Sequence, residues 1–263
     1  MASDVTVRGA GIYGLTIAWN CLSRGARVTV IDPHGPGAGA SANPVGALAP
    51  HVPENWDDMK GLQRDSLIAA ESFWATVAKA GGGDPGYART GRLQALADDV
   101  AVARARDRAQ GPLKHWRGHR WQVIAAPDDW APVSPSGLVV HDTLTARLDP
   151  ARAVDALVRA IRASGGRIET DAPERGPVIH ATGATGLEQL SAEQGREVGR
   201  PIKGQAARIA LDRRGAPQIF AGGLHIVPHA DGTTGIGSTT ERDLDSDAPD
   251  ALLDDVLTRA AAA

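Results

Sequence analysis

The sequence has a single cysteine, Cys21, in 263 residues. That excludes an internal disulfide and any cysteine-rich metal site. Cys21 falls on an apolar helical pattern beside Trp19 and Leu22, where a buried structural thiol is expected rather than a nucleophile. The eight histidines show no ligand spacing with acids or with the cysteine, so no metal site is expected. Neither charge is in large excess, and a formal net charge of −3 offers no general attraction to nucleic acid or anionic lipid. No apolar run approaches the roughly 20 residues that span a bilayer. A strand pattern begins at about Asp4, which leaves no room for a charged and then apolar leader. The expectation from these absences is a cytoplasmic protein with no membrane or nucleic-acid partner. Hydrophobic content of 42% and charged content of 22% are ordinary for a globular chain, and the length suits one large or two modest domains.

What is present starts at once. A β-branched stretch from Asp4 runs into Gly9-x-Gly11-x-x-Gly14, a helical pattern follows, and Val28–Ile31 leads to an acid at Asp32. This is the βαβ dinucleotide fingerprint in its strand–helix–strand context. The first glycine permits the tight turn, the second lets a pyrophosphate approach the backbone, and the third lets helix and strand pack closely. The helix N-terminus faces the anion, and Asp32 is positioned to accept hydrogen bonds from a ribose. The fingerprint by itself permits flavin and nicotinamide dinucleotides equally. From Pro33 to His51 the chain is almost without side-chain bulk but carries Ser41, Asn43 and an apolar Val45-Gly-Ala-Leu48. Such a stretch reads as a ligand-facing loop, because small residues allow backbone amides close to a flat or anionic group.

The pattern predicts a helix over 57–80, capped by Asp57 or Asp58, with Leu62, Ser66, Ala69, Phe73 and Val77 as its stripe. A strand is expected over Tyr87–Leu96, then a charged helix over Asp98–Gln110 whose Arg104, Arg106 and Arg108 face solvent. Trp116, Trp121 and Trp130 read as core and boundary packing of a second domain. After a strand at Gly137–His141, Asp149 and Pro150 open a helix with Val154, Leu157, Val158 and Ile161 buried. Strands are expected at Arg167–Thr170 and Pro177–His180. The second ends in Ala181-Thr-Gly183, a further strand-to-glycine turn that gives a long ligand a second point of approach. Strands at Arg200–Leu211, Gln218–Phe220, Leu224–His229 and Thr233–Ser238 read as an antiparallel meander, and Asp250–Ala260 as a closing helix.

Four stretches in this order resemble the D-amino-acid-oxidase family of FAD-dependent oxidoreductases, which includes glycine oxidase, sarcosine oxidase and the oxidase half of a tRNA wobble-uridine-modifying enzyme, so that a tRNA nucleoside stays open as a substrate. They are Gly9–Gly14 with Asp32; Gly39–Pro50; Leu148–Pro150 with Ile179–Gly183; and Lys203–Gln205 with His225–Gly232 and Ile236–Thr239. The resemblance covers nearly the whole chain. It implies an α/β fold, with a Rossmann-like FAD-binding domain from residues 1–85 and 141–200. An antiparallel-sheet substrate domain would come from 86–140 and 201–246, with a C-terminal helix at 247–263. It implies FAD held by Gly9, Ala10, Gly11, Ile12, Gly14, Asp32, Pro33, Ser41, Val45, Gly46, Ala47, Leu48, Ala181, Thr182 and Gly183. The implied chemistry is hydride transfer from the carbon beside a neutral amine or amino-acid nitrogen to the flavin, with oxygen as acceptor. His225 matches a substrate-side aromatic of the family and is the candidate for the substrate pocket; no acid–base residue is singled out. The family usually runs several dozen residues past the helix that closes this sequence, and has an arginine where His229 stands. A shortened, non-catalytic dinucleotide-binding protein and a nicotinamide-dependent dehydrogenase are the alternatives. The loop at 39–50 and the turn at 181–183 disfavour the dehydrogenase.

Overall fold

The computed structural model describes residues 3–110, 115–242, 246 and 248–263. Alternating β-branched residues set β1 (Asp4–Arg8), which turns into α1 (Ile12–Leu22) and then β2 (Arg27–Ile31). The following loop contains a 3-10 turn at Ala40–Ala42 and enters the short β3 (Ala47–Leu48). α2 (Asp58–Gly81) starts where the Asp57 carboxylate accepts the Lys60 amide at 2.8 Å, and stops at Gly82 in the left-handed conformation. Next come β4 (Arg92–Ala95), α3 (Asp99–Gln110), β5 (Trp121–Ala125), β6 (Leu138–Asp142) and β7 (Ala146–Arg147). α4 (Pro150–Ala163) has Asp149 as its cap and Pro150 in its first turn. β8 (Arg167–Glu169), β9 (Val178–His180) and α5 (Gly183–Gln194) follow. The chain then runs through β10 (Ala206–Ile209), β11 (Gln218–Ala221), β12 (Leu224–Pro228) and β13 (Thr234–Gly237) to α6 (Ala251–Ala262).

Two large sheets result. One is parallel, in the order β8-β2-β1-β9; the other has seven strands, in the order β10-β13-β12-β11-β4-β6-β5. β3 and β7 pair antiparallel as a small link, with Leu48 opposite Ala146. The larger sheet is mixed and not wholly antiparallel, because β11 runs parallel to β4, with Ile219 beside Leu93. Tight turns force antiparallel pairing only between strands adjacent in sequence. β4 and β11 come from stretches separated by the whole of α4 and α5, so no turn fixes their relative direction.

α4 is the helix with the most complete apolar face: Leu157, Ile161, Ala156 and Ala160 are fully buried. It packs against both α1 and α2. The buried side of α2 is Leu67, Trp74 and Val77, whereas Leu62 is 62% exposed, so the expected stripe is rotated about the helix. Both residue sets have helical spacing; the indole of Trp74, packed into the cluster with Val77 and Leu157, decides which one faces inward. Trp116 and Trp121 are buried edge to face, centroids 5.6 Å apart, in a separate cluster with Leu67 and Val140. The strand expected over Tyr87–Leu96 is confined to Arg92–Ala95, because Gly91 (φ 79°) bends the chain, leaving Ala88 a single bridge to Arg147. Likewise the expected strand from Arg200 begins only at Ala206; Lys203 makes one bridge, to Glu241. Cys21 is only half-buried. Arg108 does not simply face solvent: its Nε and Nη2 grip the two oxygens of Glu54. Among the described residues no helix is long and apolar enough to cross a membrane.

Candidate functional site

A cavity of about 480 Å³ lies at the carboxyl ends of β1, β2 and β9. Open α/β sheets bind ligands at this end, where strands give way to helix N-termini. Gly9 leaves β1 at φ 101°, and a Cβ there would meet the Ala181 carbonyl carbon at 2.7 Å. The same close approach continues one turn on, since the Gly9 carbonyl leaves no room for a Cβ on Gly14. The fingerprint turn and the second glycine turn are thus in backbone contact, and the two form adjoining walls. Asp32 closes one end. Its Oδ2 accepts the Ala10 amide at 2.7 Å and its Oδ1 the His34 amide at 2.9 Å. At the mouth of α1, Ser41 Oγ accepts the Ile12 amide at 2.9 Å.

The third wall is the small-residue loop, which leaves Val45 and Leu48 on the cavity together with Leu148 and Pro150 at the start of α4. Every residue expected to hold a cofactor lines this cavity except Ala10, Gly14 and Pro33. Ala10 and Gly14 are buried behind the wall, and Pro33 is exposed outside it. The cavity also takes in Tyr13, Gly39, Ala40, Asn43, Leu148 and Pro150. Leu148 and Pro150 sit more than a hundred residues from the fingerprint. Their sequence signals were the family resemblance over Leu148–Pro150 and the Asp149 cap, which marks a helix N-terminus but not where it points.

The residues present fit a flavin adenine dinucleotide. Asp32 offers a carboxylate to ribose hydroxyls, and the start of α1 offers amides to a pyrophosphate. Small and apolar residues from Val45 to Leu48 suit a flat ring. Replacing Asp32 by alanine removes a charged acceptor whose hydrogen bonds are worth about 1.5–3 kcal/mol each. The Kd for FAD in a fluorescence titration of the apoprotein is therefore expected to rise about 10–100-fold. An unchanged Kd would take Asp32 out of the site.

From the other side the loop is held by the larger sheet. His229 is fully buried, and its Nε2 donates to the Pro44 carbonyl at 2.8 Å. Gln218, also fully buried, donates to the carbonyl of Ala146, the residue paired with Leu48. Arg92 is paired with Asp142 at 2.9 Å, and its guanidinium lies 5.8 Å from the Phe220 ring. His225 lies beside these groups, its ring 4.8 Å from that of Phe220. Burial, and then the nearby Arg92 cation, lower the His225 pKa from 6.5 to about 4. Burial also lowers the pKa of His229 and of His141.

The unfolded chain binds a proton at residue 225 below about pH 6.5, and the folded chain does so only below about 4. Stability is therefore lost as pH falls through that window, by at most about 3 kcal/mol from this one group. His225→Phe is expected to flatten the pH dependence of Tm between pH 6.5 and 4; an unaltered slope contradicts a neutral buried imidazole. Among the described residues no three His, Cys, Asp or Glu side chains are grouped to hold a metal ion.

The known proteins that this chain resembles agree with that geometry. A family model described as FAD dependent oxidoreductase, DAO, matches residues 4–263. Among solved structures, glycine oxidase from Geobacillus kaustophilus superposes with a TM-score of 0.78 at 19% identity, covering 98% of this chain and 77% of that one. Iminodiacetate oxidase from a Chelativorans species gives 0.76 at 21% identity, covering 97% of this chain and 77% of that one. In sequence, the tRNA 5-methylaminomethyl-2-thiouridine biosynthesis bifunctional protein MnmC of Cupriavidus metallidurans is 29% identical over 90% of this chain and 39% of its own length. The same-named protein of Ralstonia nicotianae is 38% identical over 36% of this chain and 15% of its own length. The alignments thus span well under half of those proteins. The family match runs through both sheets and every wall of the cavity, and it decides between flavin and nicotinamide: this chain belongs to the DAO family of FAD-dependent oxidoreductases, and its cofactor is FAD.

Proposed function

We propose that the protein oxidises the carbon–nitrogen bond of a small primary or secondary amine, an amino acid foremost, with oxygen reoxidising the flavin. The observation that carries this reading is the buried flank beside the cavity loop, where Arg92 is ion-paired with Asp142 and where burial and the Arg92 cation keep His225 neutral. When bound, FAD supplies the hydride acceptor. The chain's own part is to bind, orient and exclude water. On this reading residues 1–85 and 141–200 hold the cofactor, and 86–140 and 201–246 face the substrate.

An amine gives up hydride only as the free base, and in water most are protonated, with a pKa near that of lysine, about 10.4. Burial in that flank, with the Arg92 cation nearby, disfavours the ammonium form. His225 cannot serve as its base: with a pKa of about 4, taking a proton from an ammonium group is uphill by roughly 9 kcal/mol. Its contribution is to hold the amine by a hydrogen bond.

A second reading rests on the sequence matches to MnmC, whose name specifies a methylaminomethyl group on tRNA, itself a secondary amine. The net charge of −3 gives no general attraction for a polyanion, which favours the small substrate. Anaerobic absorbance spectra of the FAD-loaded protein test both. Bleaching of the flavin bands by glycine, sarcosine or proline supports the first reading. Bleaching only by tRNA bearing an aminomethyl-type uridine supports the second. Flavin bands that no amine bleaches leave a dinucleotide-binding protein without turnover.

A further inference from the structure

Along β12, Leu224 and Ile226 point into the cluster that includes Ile236 and Val256 of α6. Strand alternation then turns His225 to the opposite face, the one whose His229 holds the Pro44 carbonyl. His225 pairs in register with Gly237. A Cβ on Gly237 would stand 3.1 Å from Cγ2 of Val45, a residue of the cavity wall. His225 is therefore one register position from the cofactor cavity.

Its ring orientation is determined by Gln218. The Ala146 carbonyl can only accept, so the Gln218 atom 3.0 Å from it is the amide nitrogen. The other amide atom is then the oxygen, which can only accept, and it lies 3.2 Å from His225 Nδ1. The proton of the neutral ring must sit on Nδ1. Nε2 has no hydrogen-bond partner among the described residues, and it is not one of their sequestered, unpartnered atoms.

We infer that Gln218 is a positioning residue that holds His225 as the Nδ1–H tautomer, so that Nε2 presents a lone pair to an N–H of the substrate. The substrate part of this inference rests on the amine-oxidase reading; the tautomer does not. An acceptor at this point selects a substrate with at least one N–H and repels a carboxylate oxygen. The charged groups around the ring agree. Arg92, on β4, opposes a second proton on the imidazole, and its partner Asp142 is turned away onto Arg92 and the Thr145 amide.

The test is two-bond ¹H–¹⁵N correlation spectroscopy of histidine-labelled, FAD-loaded full chain at pH 7. The wild type is expected to show His225 protonated at Nδ1 and bare at Nε2. Gln218→Leu is expected to lose that preference. Gln218→Glu, which keeps an acceptor, is expected to retain Nδ1–H and to make His225 titrate at higher pH. Added sarcosine is expected to shift the Nε2 resonance; glycine betaine, a quaternary amine with no N–H, is expected to leave it in place. A wild-type ring carrying its proton on Nε2 overturns the proposal, and needs no variant to fold. So does sarcosine that bleaches the flavin without moving Nε2, or betaine that moves it equally. If no amine bleaches the flavin, the oxidase reading fails while the tautomer is still decided by the unliganded spectrum.

Discussion

Gly9→Ala is expected to cost the protein its FAD. Position 9 has φ 101°, where an L side chain is strained by about 1–3 kcal/mol. The added Cβ also has nowhere to go. It would stand 2.7 Å from the Ala181 carbonyl carbon and 3.2 Å from the Thr182 nitrogen. These are backbone atoms of the adjoining turn and cannot rotate aside. The turn at 181–183 must move away, carrying with it the Ala181 amide that bonds the Arg8 carbonyl at 2.7 Å. Overpacking of this kind adds about 1–3 kcal/mol. Together the terms predict a Kd for FAD raised at least about thirtyfold. A purified variant that is colourless until millimolar FAD is added fits this account. A variant that co-purifies with stoichiometric flavin would refute the backbone contact between the two turns.

The second large effect is on stability. Asp142 is fully buried and its carboxylate is the ion-pair partner of the buried Arg92, while its other oxygen accepts the Thr145 amide at 2.9 Å. Asp142→Ala leaves Arg92 as an uncompensated buried cation. Breaking one side of such a pair costs about 3–5 kcal/mol, a large share of the whole stability of most domains. Chemical denaturation is expected to show the midpoint falling accordingly with the m-value unchanged. Replacing both partners, as Arg92→Met with Asp142→Leu, is expected to recover most of the loss, because the desolvation penalty goes with the charges. If the double variant is no better than Asp142→Ala, the cost lies in the Thr145 hydrogen bond and the local turn. The double variant should also raise the pKa of His225, since the Arg92 cation is one of the causes that lower it.

The fingerprint from Gly9 to Gly14 and Asp32 is local. Its residues touch because they are joined by one short strand and one helix, so spacing alone defines the geometry. Asp149, too, was readable as a cap, since a cap is set by residues three apart. The α2 stripe held only at Phe73 and Val77, for the opposite reason. Two overlapping sets share that helix, and only the packing of Trp74 with Leu157 selects between them. The larger sheet gave a mixed result: its hairpin pairs β11–β12 and β12–β13 follow from turns, whereas the β4–β11 pair is parallel and depends on chain segments far apart.

The dinucleotide fold and its ligand-facing loop were legible in the chain, because those signals are carried by near neighbours and by glycines whose reason is steric. The flavin and His225 were implied by the family resemblance. What surrounds that ring is a matter of the fold. Gln218 lies seven residues away on another strand, Arg92 lies beyond it on β4, and Ala146 belongs to the link between β3 and β7. Protonation state and tautomer are set by burial and by hydrogen-bond partners, and both are properties of what the fold brings together rather than of any stretch of chain.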